Sequence, residues 1–192
     1  MLTNNENFQS ILENINELLR LGVKNRNHSF HTPVFSTYNQ NNFINSRVVV
    51  LRKYSFNSLI LGFHTDIRSP KISELKKNKN SYFVFYDYKL KIQLRIRTIS
   101  VIHNKNKLTK DAWNATSLQS RKCYLSQKKP SSKITYQTDG IPKSLKGIDP
   151  SMEESERGYK NFTVIDNVIQ NIDWLHLYAS GHQRINISFA NN

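Results

Sequence analysis

Apolar residues recur at helical spacing near the N-terminus and at strand spacing through most of the remaining chain. Phe8, Ile11, Leu12, Ile15, Leu18 and Leu19 fall at i, i+3, i+4 and i+7 positions. That spacing predicts one amphipathic helix over 7–21, with Gly22 as its stop. Pro33 to Tyr38 reads as a short strand ahead of the polar turn 39–42. Arg47 to Lys53 and Leu59 to His64 read as two strands joined by a polar connection around Asn57. Pro70 to Asn78 predicts a short helix, with Lys76 and Lys77 near its C-terminal end. Ser81 to Tyr88 is nearly continuous aromatic and aliphatic, the pattern of a strand buried on both faces. From Lys91 onward Ile92, Leu94 and Ile96 alternate with Gln93, Arg95 and Arg97. The phase then flips to Ile99 and Val101, which predicts a bulge near Thr98. Leu108 to Tyr124 reads as helix, and Phe162 to Tyr178 and His182 to Phe189 as strands. Between them, Pro130 to Arg157 carries three prolines and two glycines and reads as a long loop or insertion.

Many strands with few helices indicate a mostly β, α+β chain built on a largely antiparallel sheet. Repeated strand–helix alternation is missing, which argues against a doubly wound fold. A closed or partly closed barrel with peripheral helices fits best. At 192 residues, 1–192 is expected to form one domain. The one cysteine, Cys123, excludes an intrachain disulfide and suits a reducing cytoplasm. The N-terminal residues are polar and no apolar run is long enough for a membrane span, so neither a signal peptide nor a membrane is expected. The net charge of +14 is the obvious argument for nucleic acid. Its lysines are scattered, however, and the basic clusters around Lys76 and Lys128 lack interleaved aromatics, so nucleic acid is not expected as a partner.

The chemistry concentrates between Asn45 and Lys71. Strand, connection and second strand, ending at His64, lead into a turn holding Thr65, Asp66, Arg68, Ser69 and Lys71. Ser69 is placed as an N-cap and Pro70 as the first helical residue. Free backbone N–H groups, a hydroxyl and flanking cations make such a helix start an anion site, above all for phosphate. Arg47 and Arg52 could add positive charge. Lys71 in the first turn opposes the helix dipole, which a bound anion would explain better than solvent does. Arg47 reads either as a phosphate ligand or as a strand-end salt bridge.

These segments resemble the pyridoxamine 5′-phosphate oxidase-like, FMN-binding split-barrel family. Arg47-Val48-Val49-Val50-Leu51-Arg52 resembles the family strand that lies along the flavin. Phe63 to Lys71 resembles the segment around the flavin phosphate, and Gln93 to Thr98 the strand whose glutamine reaches the flavin. Trp174, His182 and Arg184 reproduce the spacing of the family's C-terminal Trp, His and Arg. The resemblance runs from about Leu12 to Phe189, with 130–157 unmatched. It implies FMN as cofactor, a homodimer with FMN between subunits, and flavin contacts from Arg47 to Arg52, His64, Thr65, Arg68, Ser69, Lys71, Gln93, Trp174 and Arg184. His182 would lie on the substrate side. Gln93 also reads as an ordinary outward polar residue, and Trp174 as core.

The resemblance departs where the oxidase holds its substrate. Pro70 stands where the family has an arginine before the lysine, Ser180 where the oxidase has an arginine before its histidine, and Arg52 where it has a lysine. The oxidase's Tyr/Arg/Ser phosphate grip has no counterpart at 113–121. The expectation is an FMN-dependent oxidoreductase of undefined substrate, with the redox chemistry carried by the flavin and no protein nucleophile. The alternatives are a flavin carrier or redox sensor, a haem-handling split barrel, and a true pyridoxamine 5′-phosphate oxidase. No Cys/His cluster has metal spacing, so no metal is expected.

Overall fold

The computed structural model describes residues 4–189. The chain opens with helix α1, Asn4–Lys24. Its apolar stripe, Ile11, Ile15, Leu18 and Leu19, is buried against the sheet, while Phe8 at the stripe's N-terminal end is exposed. Gly22 does not stop this helix. A Cβ there would lie 2.8 Å from the Phe30 carbonyl, so glycine is required by the return of the chain against α1.

Eight antiparallel strands follow: β1 Val34–Tyr38, β2 Ile44–Val48, β3 Leu51–Ser55, β4 Ile60–Asp66, β5 Asn80–Asp87, β6 Ile92–His103, β7 Phe162–His176 and β8 Gln183–Ser188. The sheet runs β2-β1-β5-β6-β7-β4-β3, with β8 also on β7. The stretch from Arg47 to Lys53 is therefore not one strand. It ends β2 at one edge of this path, crosses at Val49 and Val50, and begins β3 at the other edge. Three peptide steps reach at most about 10 Å, so the two edges must curl toward each other into a barrel with a gap. Backbone order thus produces the split as well as the closure.

Helix α2, Pro70–Lys77, follows β4, and α3, Lys107–Asn114, follows β6. The helix expected over 108–124 is broken. After α3 come α4, Leu118–Arg121, and a 3₁₀ turn, with Ser117 capping the new start. The segment 130–157 is mostly irregular, yet it contains α5, Met152–Glu156, capped by a Ser151/Glu154 capping box.

The main core fills the barrel with Phe30, Phe35, Leu51, Phe63, Phe83, Phe85, Leu94 and Ile165 among others. A second cluster, Trp113, Tyr124, Phe162 and Val164, lies under α3. Because α3 covers the first half of β7, that strand is the one buried on both faces. β5 instead alternates, with Phe83 and Phe85 inward and Tyr86 exposed. The bulge near Thr98 is real, but the extra residue is Gln170 on β7. The inward phase of β6 does not flip. Thr98 and Ser100 continue the buried face, where Ser81, Thr98, Ser100 and Asn167 satisfy one another.

Candidate functional site

The turn after β4 and the gap between β2 and β3 form one site. Val48, Val49, Val50, Arg52, His64, Thr65 and Lys71 line a cavity of about 370 Å³. The opposite wall comes from Thr116, Gln119, Ser120, Cys123 and Tyr124 of the α3–α4 region. The crossover from β2 to β3 places Val48–Val50 along one wall of this space. A bulge in β3 sets Arg52 apart from the β4 pairing, since Leu51 faces Phe63 and Lys53 faces Gly62.

Lys71 is the centre of the turn. Its Nζ donates to Thr65 Oγ1 at 3.0 Å and to Ser69 Oγ at 2.7 Å. Ser69 has N-cap backbone geometry, but its hydroxyl serves Lys71 rather than the helix N–H groups. Burial, and after it the positive charge of Arg47, hold the Lys71 ammonium down to about 8. Among the described residues no carboxylate pairs with Lys71 or Arg52 within 4 Å. A half-buried cation beside two hydroxyls and a helix start, with no carboxylate paired to it, is a donor set suited to an anion.

The other cations of the turn are committed. Arg47 pairs with Glu74 at 2.9 Å and donates to Thr37 Oγ1. Burial works against the Glu74 charge, but hydrogen bonds from Thr37, Asn45 and Arg47 prevail and keep its carboxyl below the usual range. Arg68 folds back onto Asp66 at 2.6 Å and donates to the Ser126 carbonyl at 3.0 Å. His64 is held at about 4 by burial first and Arg52 second, so it stays neutral at physiological pH. No local pattern marks Glu74 as the partner of Arg47, which lies 27 residues away on another element.

The remaining candidates lie elsewhere. Gln93, Leu175 and Arg184 face one another across β6, β7 and β8 on the outer sheet face. Arg184 and Arg95 both grip the buried carboxylate of Asp173. Those hydrogen bonds, from Arg184 first and Arg95 next, keep Asp173 below the ordinary carboxylate range despite its burial. His182 is exposed just before β8. Trp174 points the other way, into the main core, 3% exposed, with its ring N–H unpartnered. Thr65 pairs with Thr163 and Arg184 with Leu175, so twelve residues of β7 separate the groups. That is up to about 40 Å along a strand, less where it coils. None of these four residues lines the cavity at the turn.

Residues 12–104 match the family model described as pyridoxamine 5′-phosphate oxidase, FMN-binding domain. A pyridoxamine 5′-phosphate oxidase-related, FMN-binding protein from Nostoc punctiforme superposes with TM-score 0.69 at 14% identity, covering 93% of this chain and 96% of its own. This chain has the fold of the pyridoxamine 5′-phosphate oxidase-like split barrels, and its residues 12–104 carry the match to that family's FMN-binding domain. PhzG from Burkholderia lata, solved with tetrahydrophenazine-1-carboxylic acid, also superposes on the split barrel with TM-score 0.69 at 14% identity, covering 94% and 87%. A Clostridium acetobutylicum protein related to general stress protein 26 gives 0.58 at 13%, covering 93% and 94%. At these identities the likeness is one of fold. No curated protein matches the sequence. Among the described residues no helix is long and apolar enough to cross a membrane, and no group of three or more His, Cys, Asp or Glu could hold a metal.

Proposed function

We propose that this split barrel binds FMN, with the flavin phosphate on the Thr65–Lys71 turn and the ring system along Val48–Val50, and works as an FMN-dependent oxidoreductase. The single observation behind this is Lys71. It is half-buried, bonded to two hydroxyls, lacks a carboxylate partner within 4 Å among the described residues and stands at the start of α2. A phosphate ester fits that donor set, because it supplies the missing negative charge and accepts from Lys71 at the start of α2. When bound, FMN would supply two-electron redox chemistry that no side chain here offers. The chain's own part is to bind and orient it. Lys71, Ser69 and Thr65 hold the phosphate end, the strand gap gives the ring an edge of backbone, and Arg52 supplies a free cation beside the neutral His64. Arg47 acts at one remove, because Glu74 already compensates its charge.

Binding should carry the signature of Lys71. The phosphate favours the protonated ammonium, whose pKa without ligand is about 8. Below pH 8 the cation is present and FMN affinity is at its plateau. Above it the affinity should fall by up to about tenfold per pH unit, until the pKa of the complex is reached. Lys71→Ala should weaken FMN about tenfold or more at pH 7, leave riboflavin unchanged, and abolish the alkaline fall. Calorimetric titration of both flavins across pH 6–10 checks this. Equal affinity for FMN and riboflavin in the native chain would remove the phosphate assignment.

The distance between the turn and the Gln93–Arg184 row supports a second copy of the chain completing the site. The outer face of β1 and β2 presents Val34, Tyr38, Ile44 and Val48, all exposed, in register across the pair. An apolar face of this kind on an edge strand favours association. Ile44→Asp combined with Tyr38→Asp, paired across β1 and β2 and outside the cavity, should convert a dimer to monomer and weaken FMN with it. Sedimentation at micromolar concentration tests this, and a native monomer that still binds flavin would refute the shared site. A cytoplasmic location and a single domain over 1–192 complete the reading.

A further inference from the structure

A second cavity opens on the other side of the turn, and nothing in the flavin assignment uses it. It measures about 520 Å³, within the range of a small-molecule site. His64, Thr65, Cys123 and Tyr124 line both it and the cavity along Val48–Val50. The two therefore meet at the phosphate turn. Its outer wall is the stretch 128–140, part of the loop for which the sequence offered no role. That wall is tied in place at its neck. Gln127 N–H donates to the Gly140 carbonyl at 3.0 Å, and Arg68, held by Asp66, donates to the Ser126 carbonyl at 3.0 Å. Gly140 has φ +70°, and a Cβ there would strike Ser126 Oγ at 2.4 Å, so the neck requires glycine.

We propose that this cavity takes the part of a flavin cofactor beyond its first phosphate, so that the chain accepts a flavin dinucleotide as well as FMN. The inference rests on the phosphate turn holding a flavin phosphate. Lys128 and Lys129 line the cavity and would meet the second phosphate. Lys129 and Ser131 also line a neighbouring hollow with Ser69, at the start of α2, and Lys76 further along it, which brings further cationic surface toward the turn. Tyr124, the neutral His64, Pro130 and Ile134 give apolar and aromatic surface for a base. Asp139, whose Oδ1 accepts only the Ile141 N–H, offers a carboxylate for ribose hydroxyls. The other acid on the wall, Asp66, is neutralised by Arg68 and does not repel a diphosphate. A reacting substrate fits here less well. The cavity shares neither Val48–Val50 nor Arg52, so it lies past the phosphate rather than over the flavin ring.

The test is equilibrium titration of the flavin-free full chain with riboflavin, FMN and FAD. It uses the native protein and the double variant Lys128→Ala/Lys129→Ala, both surface positions. The expected result is FAD binding within about threefold of FMN or tighter, with the double variant losing about tenfold for FAD and almost nothing for FMN. FAD weaker than FMN by more than about threefold would overturn the extension, and so would a double variant that loses FMN and FAD equally or neither. In those cases FMN still tighter than riboflavin leaves the phosphate turn standing. FMN no tighter than riboflavin would remove the turn itself, and the extension with it.

Discussion

Replacing Arg121 with alanine should destabilise the protein by about 3–5 kcal/mol, the cost of losing its buried hydrogen bonds and opening a cavity where the guanidinium packs. Arg121 is 2% exposed. Its guanidinium lies 4.7 Å from the Trp113 ring centroid and donates to the carbonyls of Trp113 at 2.9 Å and Thr116 at 3.0 Å. Across the gap it reaches Ser155 Oγ and Glu156 Oε1, both at 3.1 Å. Glu156 in turn accepts from the Trp113 ring N–H at 2.8 Å. One side chain thus closes the broken α3–α4 corner and pins α5 to it. Removing it takes the guanidinium donor from the Thr116 carbonyl, leaves the Trp113 carbonyl to the Thr116 N–H, and opens a void beside the second core cluster. In a chain of this length, a loss at the middle of that range lowers Tm by about 10 °C. Arg121→Lys should recover part of the loss, since an ammonium keeps the charge but cannot serve carbonyls and carboxylate in one plane. Urea unfolding of the three proteins decides the matter. An alanine variant within about 1 kcal/mol of native would show that the corner stands without the guanidinium.

Oxidation of pyridoxamine 5′-phosphate should be poor for a related reason, with a specificity constant two to four orders of magnitude below the ordinary enzymatic range of about 10⁴ M⁻¹s⁻¹ and above. A cavity of about 540 Å³ beside the proposed flavin site is lined by Arg52, Lys53 and the hydroxyl residues Thr116, Ser117 and Ser120. Arg121 could have gripped a substrate phosphate there, but it is spent inward. Lys53 is bound to Asp166 at 2.8 Å. Arg52 alone remains free, and its planar guanidinium does not reproduce the lysine of the true oxidase. Each missing charge-assisted contact removes roughly 1.5–3 kcal/mol. Steady-state turnover by FMN-saturated protein is the measurement. A value in the ordinary range would show that this split barrel is a vitamin B6 oxidase after all.

Much of the fold was legible because local rules produced it. The helical stripe of α1, the strand β4 and the Ser69–Pro70 helix start each depend on residues a few positions apart. So does the clean alternation of Ile92, Leu94 and Ile96, and each of these lies where the pattern placed it. Long-range contacts account for the departures. Gly22 has stop-like composition, but a distant contact with Phe30 decides its role. Apolar density in β5 suggested two buried faces, yet only the strand that α3 covers has them. The bulge near Thr98 falls on its partner strand, because sequence periodicity marks a mismatch without saying which strand holds the extra residue.

The turn itself shows the division most clearly. Its sequence alone determined that cations, hydroxyls and a helix start would gather between Thr65 and Lys71, because cap and turn chemistry is short-range. Only the tertiary structure decided which of those cations were left to bind anything. Arg47 found Glu74 and Arg68 found Asp66 and the Ser126 carbonyl, while Lys71 found only hydroxyls. It likewise decided that Arg47–Lys53 breaks at Val49, since the residues on either side pair with opposite edges of the same sheet. Charge pairing and barrel closure are long-range. They depend on which elements meet in space, and no periodicity along the chain encodes that.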